Sequence, residues 1–231
     1  MNRIHALLGV QSLVGILVSI NRLGTWTLGY VLPNEFLRWV DFNNMLVLSL
    51  VSLVALYLLK KTIEYDSLAR ERRIHMTWNV VFIIGLYLTA ASYGDHEVTN
   101  YLHQRFCATE TTSDFCRIVI FNDDKFSHWV FFTGFVMVNA AILFLQNIFP
   151  YQAKISRTDI ALLALNALFL GAAVLANLGF EEIGLDLYVV AVLALISAYL
   201  LWKRGRQPMF IYYTIAYWLG LIASVIAQAL R

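Results

Sequence analysis

Two short stretches of this 231-residue sequence combine histidine with carboxylate residues at helical spacing. In the first stretch, Ser92, His96 and His103 would share one face of a helix, because residues three, four or seven apart lie above one another. In the second stretch, Asp124 and His128 are four residues apart and would also share a face. Imidazole and carboxylate groups together are typical ligands of zinc and other divalent transition metals. The spacing therefore indicates a metal-binding site.

Further acids complete the predicted site. Asp95 lies in the first stretch, and Glu181, Glu182 and Asp186 lie much later in the chain. A metal ion with an open position would supply a nucleophilic water, for which Glu181 or Glu182 would act as base. Ser92 or Tyr93 would stabilise an oxyanion. The predicted metal ligands are His96, His103, Asp124, His128, Asp95 and Asp186.

A structural interpretation of the same residues stays open. Asp123 or Asp124 would cap the helix that follows, and Asp186 would cap a later one. His5 and His75 lie beside basic residues and are interpreted as surface histidines.

The composition shows what kind of scaffold must hold these residues. The chain is 60% apolar and only 14% charged, whereas soluble domains are about 45–50% apolar and about 25% charged. This excludes a soluble enzyme. Two cysteines are too few for a disulfide scaffold or a cysteine-rich metal module. The sequence contains neither a glycine-rich phosphate loop nor a large basic patch, so a nucleic-acid partner is not expected.

The apolar residues form seven segments, each long enough to cross a bilayer as a helix. The sequence therefore predicts an all-α polytopic membrane protein with seven transmembrane helices in a single domain, residues 1–231. Residues 22–42 are predicted to lie at the membrane interface, and residues 94–125 are predicted to form an outer loop. The predicted spans are Ile4–Ile20, Asn44–Leu59, Met76–Tyr93, Phe126–Phe149, Ile160–Leu178, Leu187–Trp202 and Met209–Leu230.

The charges predict an orientation for these spans. On one side of the predicted membrane, the loops carry 11 of the 17 basic residues, and the other side carries 11 of the 15 acids. By the positive-inside rule, the N-terminus is cytoplasmic and the C-terminus lies outside. The histidines and acids of the predicted site then face outward, from the plasma membrane of a bacterium or archaeon. Cys107 and Cys116 would meet oxidising conditions and form a disulfide, although two unrelated thiols remain an alternative.

Residues 124–132, Asp-Lys-Phe-Ser-His-Trp-Val-Phe-Phe, resemble the VanZ-like membrane proteins. In that family, Asp-Lys and a histidine three residues later precede an aromatic-rich helix, and an acidic pair and an aspartate follow. Glu181, Glu182 and Asp186 are similar to those later elements. The resemblance implies an outward-facing polar site at the cell envelope.

A second resemblance concerns the pair Ser92 and His96, which is similar to the Ser-x-x-x-His of the alkaline ceramidase superfamily. Those proteins are seven-helix zinc hydrolases that also use a C-terminal His-x-x-x-His. This chain has no histidine after His128, so His128 or His103 would have to substitute together with Asp124.

Three functions are compatible with these features. The leading hypothesis is a metal-assisted hydrolase or transferase that acts on a lipid or envelope small molecule and uses a divalent metal such as zinc. One alternative is a non-catalytic binding or transport protein whose acidic outer vestibule attracts cations. Another is a structural subunit of a membrane assembly. Membrane lipids are the expected partners in each case.

Overall fold

Seven helices that are long and apolar enough to cross a membrane make up most of the chain, as the sequence predicts. The computed structural model describes residues 1–64, 72–180 and 184–230. Apart from one isolated bridge between Tyr30 and Arg38, this part of the chain contains no β-structure. The helices are α1 (Asn2–Leu23), α2 (Trp39–Glu64), α3 (Arg73–Cys107), α4 (Asp114–Ile148), α5 (Arg157–Gly179), α6 (Leu185–Arg204) and α7 (Pro208–Ala229).

The region predicted as an outer loop, residues 94–125, is helical except for a short turn at 108–113. Helix α3 continues to Cys107, and α4 begins at Asp114, where the hydroxyl of Ser113 accepts a hydrogen bond from the backbone N–H of Cys116. The loop prediction was wrong because it took the loss of hydrophobicity as the end of the helix. Asp123 and Asp124 therefore lie inside a continuous helix and do not cap one.

The turn between α3 and α4 is closed covalently and by hydrogen bonds. The Sγ atoms of Cys107 and Cys116 are 2.00 Å apart, so the predicted cysteine pair is present at bonding distance. Within the turn, the carboxylate of Glu110 accepts hydrogen bonds from Ser113 and Thr112, and these bonds lower its pKa to about 2. The turn therefore holds α3 and α4 together at their polar ends, beyond the apolar segments of both helices.

Two glycines allow the backbones of α3 and α4 to approach closely. A Cβ atom at Gly134 would lie 2.8 Å from the carbonyl oxygen of Gly85 and 2.8 Å from the backbone nitrogen of Thr89. A Cβ atom at Gly85 would lie 2.9 Å from the backbone nitrogen of Val138. Small residues of this kind are typical of helix contacts within membranes. The contact fixes how the polar ends of α3 and α4 face each other.

Helices α5 and α7 form a second close pair. A Cβ atom at Gly220 would lie 2.5 Å from Cγ1 of Val174 and 3.1 Å from the carbonyl oxygen of Gly171. The core beside this pair is aromatic, since Tyr213 and Tyr217 are buried and stack in parallel with ring centroids 5.4 Å apart. This second pair matters because it brings the ends of α5 and α7 together beside α6.

Side-chain contacts define two ends of the bundle. At the basic end, His5 lies 2.9 Å from Asp159, and Glu64 contacts both Lys60 and His75. The opposite end, where α1, α3, α5 and α7 finish, is here called the acidic end. The interpretation of His5 and His75 as surface histidines was wrong, because antiparallel packing brings acids from other helices or helix ends against them.

The glycine contact predicts a selective loss of stability. Gly134→Ala should lower the free energy of unfolding by about 1–3 kcal/mol, because the new methyl group overlaps backbone atoms of α3. Gly94→Ala is the matched control on α3, where an added Cβ meets nothing within 4 Å. Thermal unfolding of both variants in detergent measures the difference. Equal stability of the two variants would contradict the close contact.

The cysteine pair predicts a second loss. Replacing Cys107 and Cys116 with serine should lower the free energy of unfolding by about 2–3 kcal/mol, because the cross-link restricts the unfolded chain. Adding a reductant should destabilise the wild type to the same extent and leave the double variant unchanged. A reductant effect on the double variant would show that the loss has another origin.

Candidate functional site

The carboxylate of Asp123 is the centre of a polar cluster between α3 and α4. Its Oδ2 lies 2.8 Å from Nδ1 of His103 with hydrogen-bond geometry. Its Oδ1 lies 3.0 Å from Nδ1 of His96, at ion-pair distance but without hydrogen-bond alignment. Only 3% of the Asp123 side chain is exposed. A buried carboxylate needs partners of this kind because burial of an unpaired charge is costly.

Two π-helical turns shape the cluster. One spans Asn122–Phe126 on α4 and the other spans His103–Cys107 on α3. A π turn bonds residues five apart, and such turns occur frequently at functional sites. Asp123 and His128 are five residues apart, so this turn moves Asp123 toward the face that carries His128. Sequence reasoning assumed regular α-helix and chose Asp124 instead.

The structure brings together four of the predicted ligands with Asp123. The rings of His96 and His128 meet edge to face with their centroids 5.0 Å apart. Oδ1 of Asp124 lies 3.9 Å from Nδ1 of His103, and 54% of the Asp124 side chain is exposed. The cluster therefore has a buried part around Asp123 and a solvent-accessible rim at Asp124.

The distances in the cluster suit a shared metal ion. One donor atom each from His103, Asp123 and Asp124 lies within 4.8 Å of the other two. Two donors bound tetrahedrally to one zinc ion at about 2.1 Å would be separated by roughly 3.4 Å. The observed separations from His103 Nδ1, 2.8 Å to Asp123 and 3.9 Å to Asp124, lie on either side of that value.

The other predicted site residues lie elsewhere or are engaged differently. The hydroxyl of Ser92 donates to the carbonyl oxygen of Ser127 at 2.8 Å, so an oxyanion role would require this contact between helices to break. Asp95 precedes His96 but lies outside the three-residue donor group, and its Oδ2 is buried without a hydrogen bond. Asp186 lies in the first turn of α6, beside a cavity between α5 and α7.

Glu181 and Glu182 lie outside the described residues, so their predicted role as base stays a prediction.

A chain of hydrogen bonds connects the cluster to the segment before α2. Asn100 donates to Asp123 at 3.5 Å, and Gln104 donates to Asn100 at 2.9 Å. Arg38 donates to Gln104 at 2.6 Å and donates two further hydrogen bonds of 2.7 Å to the carboxylate of Asp41. This chain ties the start of α2 to the acidic end of α3.

Glu97 is a buried acid that sequence reasoning did not select. Its carboxylate pairs with Arg22 of α1 and accepts a hydrogen bond of 3.4 Å from Asn44 of α2. Asn21 in turn donates to Asn44 at 2.7 Å. The residues that pair with Glu97 are far away in the sequence, so no local spacing could have shown the contact.

No family model matches the sequence, and no curated protein or solved structure matches it. The resemblances to VanZ-like proteins and to alkaline ceramidases stay predictions.

Asp123 should be more important for stability than an exposed aspartate of the same helix. Asp123→Asn should lower the free energy of unfolding by about 1–3 kcal/mol at neutral pH, because the substitution removes the charge that both histidines face. Asp114→Asn is the control, since the Asp114 side chain is 95% exposed. Chemical unfolding in detergent measures both variants. If Asp123→Asn were as stable as Asp114→Asn, the cluster would not contribute to the fold.

Proposed function

We propose that this chain is a metal-assisted hydrolase or transferase that acts on a lipid or envelope small molecule. The observation that carries the proposal is the meeting of His103, Asp123 and Asp124, whose donor atoms lie within 4.8 Å of one another. Nitrogen and carboxylate ligands together suit zinc, manganese or iron. Zinc is the first choice because it accepts few protein ligands and leaves a position for water or substrate.

Each residue of the cluster has a distinct task in this proposal. His103, Asp123 and Asp124 hold the ion, and His96 keeps the carboxylate of Asp123 in place through its contact of 3.0 Å. Such supporting contacts commonly orient metal ligands. The exposed side of Asp124 leaves access from solvent. A divalent ion bound here would polarise a carbonyl or phosphoryl oxygen and activate water.

An apolar patch on α4 supports a lipid as substrate. Phe121, Phe126 and Trp129 are all more than 40% exposed and lie within two turns of Asp124. The rings of Phe121 and Trp129 meet edge to face with their centroids 5.9 Å apart. An acyl chain lying on these rings would bring the polar head of a lipid next to the cluster.

The proposal includes an orientation and a location. The excess of basic residues at one end supports a cytoplasmic N-terminus, so that the cluster faces outward from the plasma membrane of a bacterium or archaeon. The resemblances to VanZ-like proteins and to alkaline ceramidases agree with a site on that side.

Ion pairing argues against an acidic vestibule as the main function. Asp41 is paired with Arg38, and Glu97 is paired with Arg22. Each of these pairs is locally neutral, so neither carboxylate adds an uncompensated charge to the acidic end. A vestibule that attracts cations through its overall field would need those carboxylates unpaired.

Metal binding tests the proposal directly. The full chain, purified in detergent, stripped with a chelator and titrated with zinc, should bind about one equivalent per chain. His103→Gln and Asp124→Asn should each weaken zinc affinity by at least about 10–100-fold, since losing even a residue that only supports a metal ligand has an effect of this size. His75→Gln is the control, because this histidine contacts Glu64 at the basic end. Isothermal titration calorimetry gives both the affinity and the stoichiometry.

Catalysis is tested on the same preparations. Zinc-loaded protein should release products from a total envelope lipid extract, detected by mass spectrometry, and the His103→Gln variant should not. Failure of the wild type to bind zinc, manganese or iron in stoichiometric amount would overturn the metal site. Binding without product release would overturn the enzymatic part alone.

A further inference from the structure

A second polar feature at the acidic end lies between α5, α6 and α7. A cavity of about 210 Å³ opens there, next to the close contact of α5 with α7. The described lining residues are mostly apolar, and one of them, Asp186, carries a carboxylate. The polar lining residues are Asp186, Ser224 and Gln228.

Asp186 is buried, and one of its oxygens has no partner. The residue is 2% exposed, and Oδ1 accepts a hydrogen bond of 2.8 Å from the backbone N–H of Leu187. Oδ2 is buried and accepts no hydrogen bond from the described residues. Among the described residues, no cationic side chain contacts Asp186. The first turn of α6 favours the negative charge of the carboxylate, yet a buried charge without a partner is costly. A positively charged ligand would remove this cost.

The other polar groups of the cavity also act as acceptors. The hydroxyl of Ser224 donates to the carbonyl oxygen of Gly220 at 2.8 Å, and Nε2 of Gln228 donates to the carbonyl oxygen of Leu178 at 3.0 Å. With these bonds made, the hydroxyl oxygen of Ser224 and Oε1 of Gln228 remain as acceptors, and the second N–H of Gln228 remains as a donor. A ligand that satisfies these acceptors together with Asp186 must donate several hydrogen bonds.

A metal ion fits this cavity poorly. Among the lining residues that the structure describes, there is one carboxylate and neither histidine nor cysteine, whereas metal sites use several such ligands. An ammonium group fits better because it carries one positive charge and up to three N–H donors. The leucines and the valine of the lining would contact an apolar chain attached to that group.

We propose that this cavity binds the ammonium group of an amphiphilic amine, with Asp186 as the counter-ion. The ligand is either a free alkylamine or the headgroup of an aminophospholipid, which share the same primary ammonium. The site is separate from the cluster around Asp123 and does not depend on metal binding there.

Binding of n-octylammonium to the full chain in an uncharged detergent tests the site, with 1-octanol as the neutral analogue. The wild type should bind octylammonium at least about tenfold more tightly than octanol, because only the ammonium forms a charge-assisted hydrogen bond. Asp186→Asn should remove this preference while keeping the Oδ1 acceptor. Asp114→Asn, which changes an exposed carboxylate of α4 outside this cavity, should bind octylammonium like the wild type. Titration calorimetry measures both probes, and titration of each probe into protein-free micelles of the same detergent gives the partitioning heat that is subtracted.

A second variant keeps the test decisive if Asp186→Asn fails to fold. Val225→Trp, at the exposed mouth of the cavity, should block octylammonium binding while Asp186 is unchanged. Equal binding of octylammonium and octanol to the wild type, or an unchanged preference in a folded Asp186→Asn variant, would overturn the proposal. So would unchanged binding by a folded Val225→Trp variant.

Nanodiscs distinguish the two sources of the ammonium group. If the headgroup is the ligand, nanodiscs containing phosphatidylethanolamine should weaken octylammonium binding relative to nanodiscs of phosphatidylcholine alone. Equal binding in both would identify a free amine. Either result agrees with an ammonium site at Asp186.

Discussion

The close backbone contact at Gly85 and Gly134 is the constraint on which the rest of the candidate site depends. Because the backbones of α3 and α4 approach closely there, residues nearer the acidic end can bond directly from one helix to the other. Ser92 reaches the carbonyl oxygen of Ser127 in this way, and His96 and His103 reach Asp123 slightly further along. The cysteine pair closes the far end. A wider separation of the two helices would leave the carboxylate of Asp123 buried without partners.

The partners of the buried acids separate structural from chemical roles at this end. Asp41 and Glu97 are paired with arginines, whose guanidinium groups only donate hydrogen bonds and are not metal ligands. Asp123 instead faces two histidines, whose imidazole nitrogens are common metal ligands. The arginine pairs therefore hold the ends of α1 and α2 on α3, whereas the histidines that face Asp123 can bind a ligand such as a metal ion instead. This difference, rather than the amount of acid, is why the cluster around Asp123 is the better candidate for chemistry.

The sequence was sufficient to predict some of these features and insufficient for others. The seven helices follow from apolar length, and His96, His103, Asp124 and His128 follow from helical spacing. Asp123 was assigned only a capping role because a π turn, which the residue pattern does not show, changes which side chain faces α3. The helical character of residues 94–125 was missed because polar residues are read as loops, although here they pair between helices. Residue spacing along the sequence shows neither contacts between distant residues nor local departures from α-helical geometry.

Asp123 and Asp186 show how the same residue type acquires different chemistry from its surroundings. Each lies at the acidic end, beside a pair of helices packed through glycine, but the pairs are different: α3 with α4, and α5 with α7. Polar residues of α3 surround Asp123 with nitrogen and oxygen donors, so an ion with several ligands fits there. Apolar residues of α5 and α7 surround Asp186, so one charge with an apolar extension fits better. Because the two helix pairs pack through separate contacts, the ligand of each carboxylate is determined by its own pair.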